Sequence, residues 1–377
     1  MYKKYFTKFL KANEDRQHYA AHSHHYWPDV TYDAMIEYWN DSACMVDQKW
    51  DHILGNQVPT LQKMMAQVLN FSKPENICFS SNTHDFFIRL LSSFRFKKIK
   101  ILTTDSEFYS FSRQAQWMSE LNLIDLTKIP AAPFDTFTER FKAEINKNDF
   151  DLIYFSQVFF NSGIVVEDLE SIVAEVKNPN TLIVIDGYHG FMAIPTDLSK
   201  IQNRIFYISG TYKYAQGGEG CCFMTVPDQC QVTPTITGWY AGFQDLDNND
   251  GSVTFANDGY RFAGSTMDYT AIYRFLSVLK LYSFHHITVA ETHAYVQMLQ
   301  KNFLNQVDLL KHTHLNRKNL LMVDPYNHGH FLAFKMPSVE ICNRVKEDLF
   351  TKKIITDSRG DVLRFGFGIY QDEEIRF

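Results

Sequence analysis

The stretch 206-FYISGTYKYAQGGEGCCFMTV-226 sets a lysine between two tyrosines at the end of one apolar run, followed by a glycine-rich turn and a second apolar run. Lysine is ordinarily a surface residue. Here it falls where a buried strand gives way to a tight turn. In open α/β sheets ligands bind beyond the carboxyl ends of the strands, so the residues just past each strand carry the functional information.

Six apolar runs read as strands: 76-NICFSS-81, 98-KIKILTT-104, 151-DLIYFS-156, 181-TLIVID-186, 204-RIFYIS-209 and 220-GCCFMTV-226. Amphipathic stretches such as 166-VEDLESIVAEVK-177 lie between several of them. This alternation predicts a mostly parallel sheet covered on both faces. After Gly264 the pattern changes to a long helical run near 268–311. The runs 330-HFLAFKM-336 and 361-DVLRFGFG-368, with a helix near 338–350, then predict a small α+β domain. The division expected is a large domain over 45–275 and a small one over 276–377 that also takes in residues 1–44.

Composition narrows the function. Apolar residues make up 45% and charged residues 21%, the balance of a globular chain. The net charge of −6, with no block of Lys or Arg, argues against nucleic acid or an anionic membrane as a partner. The N-terminus MYKKYFTKFLKANEDRQ lacks the apolar stretch of a signal peptide. The six cysteines form no CxxC pair, so neither disulfides nor a zinc site is expected, and a cytoplasmic location is. Three histidines in 21-AHSHHYWP-28 raise a metal site, but no partner set has ligand spacing, and none is expected.

Three strand ends carry chemistry. After the first come Ser81-Asn82-Thr83-His84 and a helical pattern, a helix cap that can also hold a phosphate. After 181–185 comes Asp186-Gly187-Tyr188-His189, a carboxylate at the end of a very apolar strand. Lys213 lies one strand–crossover–strand step beyond it. Pyridoxal 5'-phosphate (PLP) needs all three: a phosphate cradle, a carboxylate to hold the proton on its ring nitrogen, and a lysine for a Schiff base with its aldehyde. Glycines after the lysine would let the backbone approach the cofactor.

On these residues the chain resembles class V PLP-dependent enzymes of fold-type I, and among them bacterial kynureninase-like proteins. Thr211-Tyr212-Lys213-Tyr214 is similar to the family's Ser-Tyr-Lys-Tyr, and Asp186-Gly187-Tyr188-His189 to its Asp-x-x-His. The resemblance implies a fold-type I PLP-dependent transferase fold, with a mostly parallel seven-stranded sheet in the large domain. It implies PLP contacts from Asn82, Thr83, Phe108, Asp186, His189, Tyr212 and Lys213, with Phe108 stacked on the ring and Tyr212 as an acid/base beside Lys213 or a ligand of the phosphate. The segments at Gly238-Trp239-Tyr240 and Phe262-Ala263-Gly264-Ser265-Thr266 imply that Trp239 and Thr266 reach the cofactor of a second subunit in a homodimer. In 356-TDSRGDVLRFGFG-368, Arg364 is implied as the ligand of the substrate α-carboxylate, with Ser23 and His24 at the mouth of the site.

A kynureninase-like hydrolase cleaving a C–C bond of an α-amino acid is therefore the first expectation. A class V aminotransferase or a β-eliminating C–S lyase is the alternative. Phe160 and Asn161 stand where Tyr-Arg is common in kynureninases, and Ala241-Gly242-Phe243 replaces the expected Gly-His, so kynurenine is expected to be a poor substrate. Cysteine desulfuration is disfavoured, because 325-PYNHGHFLAF-334 carries no cysteine nucleophile and Cys342 falls in a helical pattern. A PLP-binding regulator is a third reading; no helix-turn-helix or basic extension supports it.

Overall fold

The computed structural model describes residues 2–246, 251–324, 327–373, 375 and 377. The large sheet consists of β1 (Ile77–Ser80), β2 (Ile99–Thr104), β3 (Ile124–Ile129), β4 (Leu152–Ser156), β5 (Leu182–Asp186), β6 (Phe206–Gly210) and β7 (Cys222–Thr225). Their order is β1-β7-β6-β5-β4-β2-β3. Strands β2 to β6 pair in parallel, and β7 runs antiparallel to its neighbours β6 and β1. The carboxyl ends of six strands thus share one edge with the amino end of β7.

Every residue of β4, β5 and β6 is buried. Alternate side chains enter two separate apolar cores. Ile153, Phe155, Ile183 and Ile185 face one, and Leu152, Tyr154, Leu182 and Val184 face the other. Strand periodicity of two, with apolar residues at both phases, is what a doubly covered sheet requires. Sequence reading named six of the strands. It passed over β3, which lies at the sheet edge and buries only Ile124 fully. Its polar Asp125 and Lys128 weaken the apolar signal.

Helices α1 (Val30–Met45), α2 (Thr83–Ser92) and α3 (Tyr109–Glu120) precede β3, and α4 (Phe137–Lys147) and α5 (Leu169–Glu175) flank β4. The helical run at 268–311 is two helices, α6 (Thr270–Phe284) and α7 (Val289–Leu310). The break has a local chemical cause: His286 takes a left-handed φ of 54°, and Thr288 with Glu291 forms a capping box that starts α7. A second sheet holds β8 (Leu320–Leu321), β9 (Phe331–Lys335), β10 (Asp357–Arg359) and β11 (Val362–Gly366) in the antiparallel order β10-β11-β9-β8. Helix α8 (Val339–Thr351) connects β9 toward β10. Gln17–His18 pairs in parallel with Ile354–Ile355, tying the N-terminal segment to the C-terminal part. No helix among the described residues is long and apolar enough to cross a membrane.

Candidate active site

Lys213 lies just past the carboxyl end of β6 and is buried. Its Nζ lies 2.7 Å from His189 Nε2, 5.3 Å from the centre of the Phe108 ring and 4.8 Å from that of Tyr188. Burial, aided by the positive charge of Arg364 nearby and opposed by Asp186, brings its pKa down to about 7. A neutral amine at neutral pH can act as nucleophile and as base. The glycine turn behind it is tied down from two sides: Thr211 Oγ1 donates to Gly218 O at 2.7 Å, and Arg274 Nε donates to Gly217 O at 2.8 Å. Gly218 has a φ of +71°, and a Cβ there would meet Trp27 Cζ2 at 2.4 Å. At Gly218 it is the Trp27 side chain that packs against the backbone, in the place a Cβ would take.

Asp186 ends β5 and is also buried. Its Oδ2 accepts from Tyr154 Oη at 2.8 Å and its Oδ1 from the Tyr188 N–H at 2.9 Å. Both donors are neutral, and burial raises the carboxyl pKa. Tyr154 is stacked on Phe111 at 3.7 Å, which fixes its hydroxyl. Sequence reading missed Tyr154, although a phenol inside the apolar run 151-DLIYFS-156 signals a buried hydrogen-bond partner.

Phe108 opens α3. Beside it, Glu107 is buried, accepts from Thr104 Oγ1 and Ser156 Oγ at 2.5 Å each, and is pushed up to about 8 by burial. Phe160 lies edge-on to Phe108 at 5.2 Å. The Arg364 guanidinium sits 4.8 Å from the Phe160 ring centre, and its Nη1 donates to Phe160 O at 2.8 Å. Arg364 is buried, and its Nε has no partner.

Arg364 Nη2 donates to Asp357, across the β10–β11 pair. Burial opposes ionisation of Asp357, yet His22 beside it and the charges of Arg364 and Arg359 hold its carboxyl below the usual range. His22 is buried between Asp357, 3.4 Å from its Nε2, and Phe331, on which it stacks at 4.8 Å. Burial, then the nearby Arg364 charge, brings His22 down to about 3, so it is neutral.

Other expected site residues lie further out. Asn82 caps α2 by accepting from the Asp85 N–H at 2.9 Å, and Thr83 is buried at the first helical position. Tyr212 lies with its ring centre 5.7 Å from Lys213 Nζ. His24 is exposed, with its ring 5.6 Å from that of Tyr212, and Ser23 Oγ is 3.2 Å from His24 Nδ1. Trp239 and Thr266 are on the surface, joined through the Tyr240 N–H donating to Gly264 O at 3.1 Å; they are not drawn into the Lys213 cluster of their own chain. Of the segment 325–334, Pro325 and Tyr326 lie outside the described residues. Among the described residues no three His, Cys, Asp or Glu side chains are grouped as a metal would need.

The aminotransferase class-V family matches residues 20–374. The chain belongs to that family. This class V chain shares its fold with solved structures at low identity. One is C-DES with glycine covalently linked to its PLP cofactor, at 17% identity and a TM-score of 0.79, with 96% of this chain and 94% of that chain covered. Another is the cystine C–S lyase C-DES with its product cysteine persulfide, at 19% and 0.78, covering 97% and 96%. A third is a cysteine desulfurase from Thermococcus onnurineus, at 16% and 0.77, covering 97% and 94%. No curated protein matches the sequence.

The cofactor of the class V enzyme is PLP, and the residues present fit it. Asp186 is a buried acid with neutral partners, suited to a cationic ring nitrogen. His189 Nδ1 is buried without a partner, and Lys213 Nζ lies beside the Phe108 and Tyr188 rings.

Proposed function

We propose that this class V enzyme eliminates the β-substituent of an α-amino acid, as a C–S lyase does. The feature that carries the reading is a buried Lys213, 2.7 Å from His189 and in one cluster with the buried Arg364, its amine held below the ordinary lysine range, where the cysteine at hand is inert. Burial pushes the Cys222 thiol up to about 12, leaving it almost no thiolate at neutral pH. The other buried cysteines, Cys78, Cys221 and Cys342, are raised by burial as well.

PLP, when bound, withdraws electrons from the substrate Cα and so makes its proton removable. Lys213 would carry the aldehyde and then take the α-proton on Nζ. Asp186 would hold the proton on the ring nitrogen, kept in place by Tyr154. Arg364 would orient the substrate carboxylate with a planar pair of donors, and Phe108 and Phe160 would exclude water. Tyr212 is the second group able to give a proton, to the departing substituent. The net reaction converts a β-substituted amino acid and water to pyruvate, ammonium and the protonated leaving group.

The runner-up is C–C hydrolysis of the kynureninase kind, which the Lys-Tyr and Asp-x-x-His motifs favour. The structural neighbours support the C–S lyase reading better. Purified holoenzyme supplied with cystine, cysteine and kynurenine tests both: pyruvate from the sulfur substrates is expected. Anthranilate and alanine from kynurenine, without pyruvate from the others, would overturn the proposal. A homodimer is proposed as the active unit, supported by Trp239, Phe243 and Leu246, which are 42%, 43% and 54% exposed in one short segment.

A further inference from the structure

The Tyr188 side chain has no role assigned so far, although its ring centre lies 4.8 Å from Lys213 Nζ. Its side chain lies over Gly210, the last residue of β6: a Cβ at Gly210 would meet Tyr188 Oη at 2.1 Å and Cys222 Sγ at 2.6 Å. The glycine is therefore the complement of the tyrosine. Tyr188 Oη is 3.6 Å from Cys222 Sγ. The same sulfur takes the backbone N–H of Thr83, at the start of the ten-residue helix α2.

A phenol and a helix-terminal amide thus meet at one thiol. Sulfur is a weak acceptor, and a poorly satisfied buried donor is costly. Such a pair is matched by a strong anionic acceptor placed at the positive end of the helix. Burial, followed by the neighbouring Cys222 and Tyr212, holds the Tyr188 phenol well above its ordinary range, so it stays a donor.

We propose that Tyr188 is a ligand of the cofactor phosphate, its hydroxyl held over Gly210 and acting with the Thr83 N–H at the start of α2. This rests on PLP being the cofactor and not on which reaction the enzyme performs.

Titration of the cofactor-free protein with PLP and with pyridoxal, which lacks the phosphate, tests it by absorbance without any turnover. Tyr188→Phe keeps the ring and removes only the hydroxyl. The expected result is PLP affinity about ten- to a hundred-fold weaker, the size of one hydrogen bond to a charged group, with pyridoxal affinity unchanged. Equal loss for both ligands would assign Tyr188 to packing against the ring, and no loss for PLP would remove it from the site; either overturns the proposal.

Discussion

Asp357 and Arg364 stand directly opposite each other on β10 and β11, and the guanidinium donates to the carboxylate. The arginine proposed to receive a substrate carboxylate is thus preorganised by one that the chain itself supplies. Arg359 Nη1 holds the other carboxylate oxygen at 2.7 Å. Asp357 therefore need not leave: Arg364 still has an unpartnered Nε to offer.

Arg364→Lys should lower kcat/KM strongly for every α-amino acid substrate while PLP remains bound. A lysine cannot reproduce the planar fork, and losing one partner of a desolvated charged pair costs roughly 2–5 kcal/mol. Steady-state kinetics with an absorbance check of cofactor content measures this. A change under about 1 kcal/mol, the size of a surface ion pair, would place Arg364 outside the substrate site.

The reaction of cofactor-free protein with PLP should speed up as pH rises through about 7. The Lys213 pKa is depressed to about 7 by burial, so below that pH Nζ is protonated and has no lone pair, and above it the neutral amine dominates. Stopped-flow absorbance from pH 5.5 to 9 would show the inflection. A rate still climbing toward the ordinary lysine range of ~10 would mean that the amine is not desolvated.

Asp186→Ala should give a folded, coloured protein with almost no turnover, because an unprotonated pyridine is a poor electron sink. Tyr154→Phe should be milder, since the Tyr188 N–H still holds the other oxygen of Asp186. Turnover near wild type in Asp186→Ala would reduce Asp186 to a structural role.

Trp239 and Thr266 are proposed to complete a partner's site. The enzyme should run as a dimer in sedimentation. In a background where Lys213→Ala alone is inactive, mixing with an inactive Trp239→Ala/Thr266→Ala protein should restore activity in hybrid dimers. A fully active monomer at verified dilution would contradict the arrangement.

The sheet was legible because local patterns report burial. Runs such as 181-TLIVID-186 are apolar at both phases only when both faces are covered, and their polar ends, Asp186 and Thr211-Tyr212-Lys213, mark the edge where chemistry gathers. The edge strand Ile124–Ile129 escaped, since one polar flank erases that signal, and the α6–α7 break escaped because a capping box reads as continued helix.

By itself, then, the sequence determined the alternation of strands and helices, the lysine at a strand end and the acid one crossover before it. These are consequences of periodicity and of the cost of polar groups in apolar runs, which act along the chain. Only the tertiary structure decided which groups meet across it. It brought Tyr154 to Asp186, Asp357 to Arg364, and Tyr188 over Gly210 beside Cys222. It buried His22 in the interior while leaving its neighbour His24 in solvent. Such pairings depend on strand order and register, and residues 7 or 32 positions apart carry no mark of that in their own spacing.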